Sequence, residues 1–299
     1  MIPMKFLGFY LLLLLPLLIP AVKILIDYFT YRFSTYAQLT EAPYWTVRRD
    51  LGKYGEYMIC HRLQRFEKLG VRFLFNVYIP KENGETTEID VLMLTPKGIF
   101  VFESKNYSGW IFGSEGQKNW YQTLPSGRGR SHKEHFYNPI MQNQTHIKHL
   151  SALLGEHIPM HSVIVFSERC TLKSVSFDPN HAQVVNRYDI VGAVIAGFNK
   201  YPQDVLDAQA IANIYQKLYP YTYVSDHIKN QHVQNIHNKF DPTPAPSAPV
   251  APAAHQSQAP ACPRCHSPLV LRTATKGENA GKQFYGCSNY PKCRYIQNL

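Results

Sequence analysis

Cysteine is scarce in this chain, with six among 299 residues. Cys60 and Cys170 stand alone and read as buried thiols, while the other four fall between residue 262 and the end. Such usage excludes a disulfide framework and fits a reducing compartment. Acidic side chains are also short, 21 Asp and Glu against 31 Lys and Arg, for a net charge of +10. A surplus of that size favours acidic partners, nucleic acid or anionic lipid, without choosing between them. Charge is missing altogether from residues 6–22, and aromatic residues are missing from 241–260.

Each gap predicts a segment. Residues 6–22 are dominated by Leu, with Lys5 before them and Lys23 behind, and the apolar run extends to Ile26 if Lys23 snorkels. About 20 such residues cross a hydrocarbon core of about 30 Å. No A-x-A-like cleavage site follows, so a single transmembrane helix is expected over residues 1–27 rather than a signal peptide. Lys23, Arg32, Arg48, Arg49 and Lys53 lie after the span and only Lys5 before it. By the positive-inside rule the bulk of the chain then faces the cytoplasm, on a single-pass anchor in the cytoplasmic (inner) membrane. Residues 28–45 read as a juxtamembrane linker. Residues 241–260 hold six Pro and six Ala with one Val, which cannot bury enough surface to fold, so residues 225–261 read as a semi-extended tether.

The most informative stretch is 87–106. Two runs rich in β-branched and aromatic residues flank Thr95-Pro96-Lys97-Gly98, the pattern of a β-hairpin. Alternation puts Asp90, Leu92 and Leu94 on one face of the first strand, and Ile99, Val101, Glu103 and Lys105 on one face of the second. Pairing across the turn lets Asp90 approach Glu103 and Lys105. Two carboxylates suit Mg²⁺ or Mn²⁺ beside a substrate phosphate, and a lysine can stabilise charge developing there. The plainer reading is a hairpin with solvated polar ends, and Glu88 shares the face of Asp90 as a competing ligand.

Around it, residues 46–69 read as one helix closed by Gly70, with Glu56 beside its apolar stripe. Residues 71–79 form a strand, and 109–113 and 118–123 two short strands carrying Trp110 and Trp120 as packing groups. A basic loop at 125–135 could follow a phosphate backbone. Asn138-Pro139 opens a helix that carries Gln142, with His146 and His149 read as surface residues. Strands at 161–167 and 183–186 and helices at 189–198 and 205–219 complete an α/β domain over residues 46–224, a central mixed sheet with helices on its faces.

Asp90 with Glu103-Ser104-Lys105 resembles the PD-(D/E)xK nuclease superfamily. The run Glu103-Ser-Lys-Asn-Tyr-Ser-Gly-Trp-Ile-Phe-Gly, with Trp120 and Gly55-Glu56, resembles its nuclease-related branch, NERD, over roughly residues 45–154. The resemblance implies a restriction-endonuclease-like sheet, phosphodiester hydrolysis, and catalytic roles for Glu56, Asp90, Glu103, Lys105 and Gln142, with Asp90 and Glu103 on the metal.

In the tail, Cys262-Pro-Arg-Cys265 and Cys287-x5-Cys293 have 21 residues between them, a spacing suited to structural Zn²⁺ held tetrahedrally by four thiolates. Residues 284–295 resemble the C-terminal zinc finger of type IA DNA topoisomerases, although no topoisomerase catalytic domain accompanies it. From Cys262 on, six Lys and Arg face Glu278 alone. Arg264, Lys282, Lys292 and Arg294 beside Phe284, Tyr285, Tyr290 and Tyr295 favour DNA, single-stranded by preference, because rings stack exposed bases. Two functions are open: a membrane-anchored, Mg²⁺-dependent nuclease with a DNA-binding tail, or a catalytically silent DNA tether.

Overall fold

A computed structural model describes residues 4–127, 129–155, 157–240, 261–273 and 282–298; for 4–17 and 236–240 only the helical backbone is described. The chain forms two units, Met1–Asp241 and Pro242–Leu299.

Helix α1 runs over Met4–Arg32. Much of the expected membrane span lies outside the residues whose side chains are described, and among the described residues no helix is long and apolar enough to cross a membrane. Helix α2 (Thr35–Thr40) follows, capped by the Ser34 hydroxyl. The stretch expected as a juxtamembrane linker is instead part of the folded unit: Tyr31, Tyr36 and Tyr44 are all buried in its core. The expected helix over 46–69 is broken into α3 (Tyr44–Arg49), α4 (Leu51–Leu63) and a 3-10 segment (Gln64–Leu69). Asp50 causes the break, because its extended backbone ends α3 while its carboxylate caps the Gly52 and Lys53 N–H groups of α4.

Strands β1 (Arg72–Pro80), β2 (Thr86–Thr95) and β3 (Gly98–Lys105) pair antiparallel, with the predicted turn closing at Thr95–Gly98. After them come β4 (Gly109–Ser114), β5 (Asn119–Pro125) and β6 (Ser131–Tyr137). Most of the basic stretch at 125–135, expected as a loop, is therefore the hairpin strand β6 and its turn. Asn138 caps α5 (Pro139–Leu154), and β7 (Met160–Phe166), β8 (Cys170–Ser176) and β9 (Gln183–Asn186) follow, then α6 (Ile190–Asn199) and α7 (Ala208–Leu218). The last helix of this unit, α8 (Asp226–Phe240), occupies the first part of the expected tether. Its His232 is buried, with Nδ1 within hydrogen-bond distance of the Thr86 carbonyl. The low-complexity stretch at 241–260 lies outside the described residues.

The single sheet expected from the sequence is two sheets. The larger runs β1-β2-β3-β7-β9, with β3, β7 and β9 parallel; the smaller runs β6-β5-β4-β8, with β4 and β8 parallel. Residues of α2, α3, α4 and α6 cover one face of the larger sheet, and residues of α5 and α7 the other. Burial on both faces explains why β3 and β7 are nearly continuous apolar runs. The smaller sheet packs through Ile111 and fully buried Trp120 against Ile164 and Phe166. Trp110, expected to pack, is exposed beside the Lys173 ammonium.

The second unit is an antiparallel sheet of β10 (Leu269–Thr273), β11 (Gln283–Cys287) and β12 (Ile296–Asn298). Its described core is Cys262, Leu269 and Cys287, with Cys265, Tyr285, Cys293 and Tyr295 packed on it.

Candidate active site and metal centre

Leu92, Leu94, Ile99 and Val101 share one face of the hairpin, as alternation requires. Asp90 lies at the end of that run. Asn76 on β1, between the pairs Phe75–Val91 and Val77–Ile89, adopts a left-handed backbone with φ 51°. There the alternation inverts: Phe75 and Val91 pack toward α4, whereas Val77 and Ile89 pack toward α5 and α7. The β2–β3 ladder reaches Val91–Phe102, and beyond it the Asp90 carboxylate accepts the Ser104 N–H at 2.8 Å. The Asp90 carboxylate thus lies beside this irregularity, at the end of the β2–β3 ladder.

Glu103 is 2% exposed. Its Oε1 pairs with Lys105 Nζ at 2.7 Å and its Oε2 lies 3.1 Å from His146 Nε2. The Lys105 ammonium also donates to Gln142 Oε1 at 3.0 Å, so α5 meets the hairpin through Gln142 and His146 together. Behind the hairpin, α4 comes close enough that a Cβ on Gly55 would sit 2.4 Å from Ser104 Oγ. The adjoining Glu56 is buried and accepts from Tyr36 OH and Asn76 Nδ2, both at 2.9 Å. Glu88 accepts from Tyr78 OH at 2.7 Å through Oε1.

These surroundings divide the carboxylates. Burial pushes Glu103 up, but the Lys105 charge and the His146 hydrogen bond outweigh it and hold its pKa at about 2. Burial also works against the Lys105 ammonium, and the Glu103 charge overcomes it, leaving the Lys105 pKa raised. Asp90 is raised well above the usual carboxylate range by burial and by the charges of Glu103 and Glu56. Glu56 is raised to about 7, chiefly by burial. The raised values of Asp90 and Glu56 reflect the cost of ionising three acidic groups beside one ammonium, a cost that a divalent cation would relieve, so the donor set fits Mg²⁺ or Mn²⁺ with water and phosphate completing the shell. Asp90, Lys105, Gln142 and His146 all line a cleft of about 1070 Å³, which Glu88 and His232 also border.

His146 was expected at the surface. It is instead buried between Glu103 and Thr87, whose hydroxyl is 2.6 Å from Nδ1. The signal was its position one helical turn after Gln142, on the same face. Tyr36 and Asn76, which hold Glu56, left no such trace.

In the second unit the four cysteine sulfurs lie within 4.8 Å of one another. Cys262–Cys293 and Cys265–Cys287 Sγ separations are 3.8 and 3.3 Å, close to the edge of about 3.8 Å set by a tetrahedron of Zn–S bonds near 2.3 Å. Among the described residues it is the one such cluster of three or more His, Cys, Asp or Glu. Arg264, Lys282, Lys292 and Arg294 are exposed. Of the aromatics expected to stack on bases, Tyr285 and Tyr295 pack on the cysteine core and Phe284 is half-buried, whereas Tyr290 is 60% exposed with the Arg272 guanidinium 6.0 Å from its ring centre.

Residues 51–167 match the nuclease-related domain, and residues 260–299 match the topoisomerase DNA-binding C4 zinc finger. An uncharacterized protein of Bacillus anthracis is 31% identical over 189 residues, covering 63% of this chain and 85% of that protein. Residues 51–167 thus form a nuclease-related domain (NERD). Its tail is similar to DNA topoisomerase 1 of Methanocaldococcus jannaschii, 45% identical over 38 residues, which is 13% of this chain and 4% of the topoisomerase. No solved structure matches. The NERD match spans α4, the hairpin, α5 and β7, the elements that carry Glu56, Asp90, Glu103, Lys105 and Gln142, and the C4 match contains all four cysteines. This NERD chain is thus a nuclease-like protein with a DNA-binding type of zinc ribbon.

Proposed function

We propose that the chain is a membrane-anchored, Mg²⁺-dependent DNA nuclease whose zinc ribbon captures its substrate. The observation carrying this reading is that Asp90 and Lys105 line one cleft, with buried Glu103 directly behind Lys105 and the ammonium held between Glu103 and Gln142. Asp90 and Glu103 would hold the cation, which when bound supplies Lewis-acid polarisation of the phosphate and a metal-activated hydroxide. Lys105 stabilises the charge that develops on the phosphate oxygens, and Gln142 keeps the ammonium in place. Glu56 maintains the acidic field behind Asp90. At the ribbon, exposed Arg264, Lys282, Lys292 and Arg294 contact phosphates while Tyr290 offers its ring to an unpaired base, which favours single strands. The uncharged run at residues 6–22 and the basic residues after it support a single-pass anchor with the bulk of the chain in the cytoplasm.

Cleavage of single-stranded, duplex and nicked DNA by the zinc-loaded full chain, measured against Mg²⁺ concentration, tests the reading. Cleavage should require Mg²⁺ and be lost in Asp90→Ala and Glu103→Ala. DNA binding by the wild type without metal-dependent cleavage of any of these substrates would leave a silent tether.

A further inference from the structure

His146 is a buried side chain at the cleft, in contact with Glu103, to which the proposed chemistry gives no role. Its Nε2 is 3.1 Å from Glu103 Oε2, its Nδ1 is 2.6 Å from Thr87 Oγ1, and it is 6% exposed. Glu103 pairs with the Lys105 ammonium through Oε1, and its Oε2 serves as the acceptor in the contact with the ring, so Nε2 carries the hydrogen of that bond. In the neutral ring Nδ1 is then the bare nitrogen and takes the Thr87 hydroxyl proton as its donor. Both ring nitrogens are thereby used, and the ring plane is fixed from two strands and a helix at once.

The helix presenting the ring is itself pinned. One turn earlier, Asn143 is fully buried and donates from Nδ2 to the Val101 carbonyl at 2.8 Å and to Ser162 Oγ at 2.9 Å. Asn138 at the start of α5 caps the Ile140 and Met141 N–H groups. His146 is therefore not a surface group that happens to fall near a carboxylate.

Glu103 has two competing cations to satisfy in the proposed reaction: its own Lys105 at 2.7 Å and the metal. A carboxylate free to rotate would follow the ammonium and present its remaining lone pairs in no fixed direction. With Oε2 tied to His146, Lys105 can engage Oε1 alone, and the carboxylate keeps one orientation.

We propose that His146 is a positioning residue that holds the Glu103 carboxylate in the orientation needed to take a divalent cation, with Thr87 fixing the ring. The inference rests on the metal-dependent reading of the site. Groups of this kind, placed behind a metal ligand, are worth about 10–100-fold in metal affinity where they have been removed.

The test is Mn²⁺ binding by the zinc-loaded full chain, followed by the loss of the free-ion electron paramagnetic resonance signal, together with the Mg²⁺ dependence of cleavage. His146→Ala should weaken Mn²⁺ binding about tenfold or more and raise the Mg²⁺ needed for half-maximal cleavage by a similar factor, with the saturated rate much less affected. His146→Gln, whose amide can donate from nearly the place of Nε2, should recover most of the affinity. Thr87→Val, a shape-conserving change, should shift it in the same direction by less, and it decides the matter if His146→Ala does not fold. Wild-type Mn²⁺ affinity in the Ala and Val variants would overturn the inference while leaving the nuclease reading intact. Equal loss in the Gln and Ala variants, tracking a fall in melting temperature, would also overturn it, since only packing would then be at stake. A wild-type chain that binds no Mn²⁺ beyond its zinc would overturn the metal-dependent reading itself.

Discussion

Glu103 and Glu56 are buried carboxylates in opposite regimes, one held ionised by Lys105 and His146 and the other raised to about 7 by burial. The pH dependence of stability separates them. A carboxyl group whose pKa is higher folded than unfolded binds more protons in the native state, so its contribution to stability falls as pH rises from the ordinary value of 4.5 through about 7. Without added Mg²⁺, Glu56→Gln should therefore melt with the wild type at about pH 4 and above it at about pH 8, by a margin on the order of 3 kcal/mol or less. A gap that stays constant with pH would refute the raised pKa. The carboxylates and the lysine of the hairpin should also differ in kind. Lys105→Ala should cut the cleavage rate about a hundredfold, a transition-state loss of about 3 kcal/mol, at an unchanged Mg²⁺ requirement. Asp90→Ala and Glu103→Ala should leave only traces of cleavage that demand far more Mg²⁺, which an Mg²⁺ titration of each variant distinguishes.

Among the elements, the hairpin was the most legible, because Thr95-Pro96-Lys97-Gly98 sits between two apolar runs and fixes the register to the residue. The way α4 approaches it was not. Gly55 faces Ser104 so closely that an added methyl would lie 2.4 Å from Oγ, an oxygen that is buried without a hydrogen-bond partner among the described residues. Gly→Ala within a helix otherwise gains about 1 kcal/mol, whereas overpacking costs about 1–3 kcal/mol. Gly55→Ala should thus be destabilising by about 1 kcal/mol, and Ser104→Ala, which removes the obstructing oxygen, should restore or exceed wild-type stability when the two are combined. Denaturant melts of the four chains in the cycle give the coupling, and additive effects would show that the helix is not packed this tightly. Sequence also missed β6 and β8, whose exposed, mixed residues lack the apolar alternation that marks a half-buried strand. Helix α8 was missed because its polar composition offers few apolar anchors besides His232, which is buried only because β2 lies beneath it.

At the scale of the molecule, the ribbon has too little core to fold on apolar burial, so its stability should come from the metal. Chelation of zinc should collapse the dispersed amide resonances of residues 262–298 and weaken DNA binding, and the binding that zinc supports should fall steeply with added salt; a flat salt response would remove the phosphate contacts. The sequence by itself determined the four zinc cysteines, the Asp90, Glu103 and Lys105 set and the order of most elements, because turn residues, alternation and ligand spacing are local and leave their mark within a few residues. Tertiary structure alone decided that Tyr36 from the supposed linker reaches Glu56, and that His146 is buried against Glu103. Those depend on contacts between residues 20 to 43 positions apart, and side chains that meet only when separate elements pack carry no periodicity for a linear reading to detect.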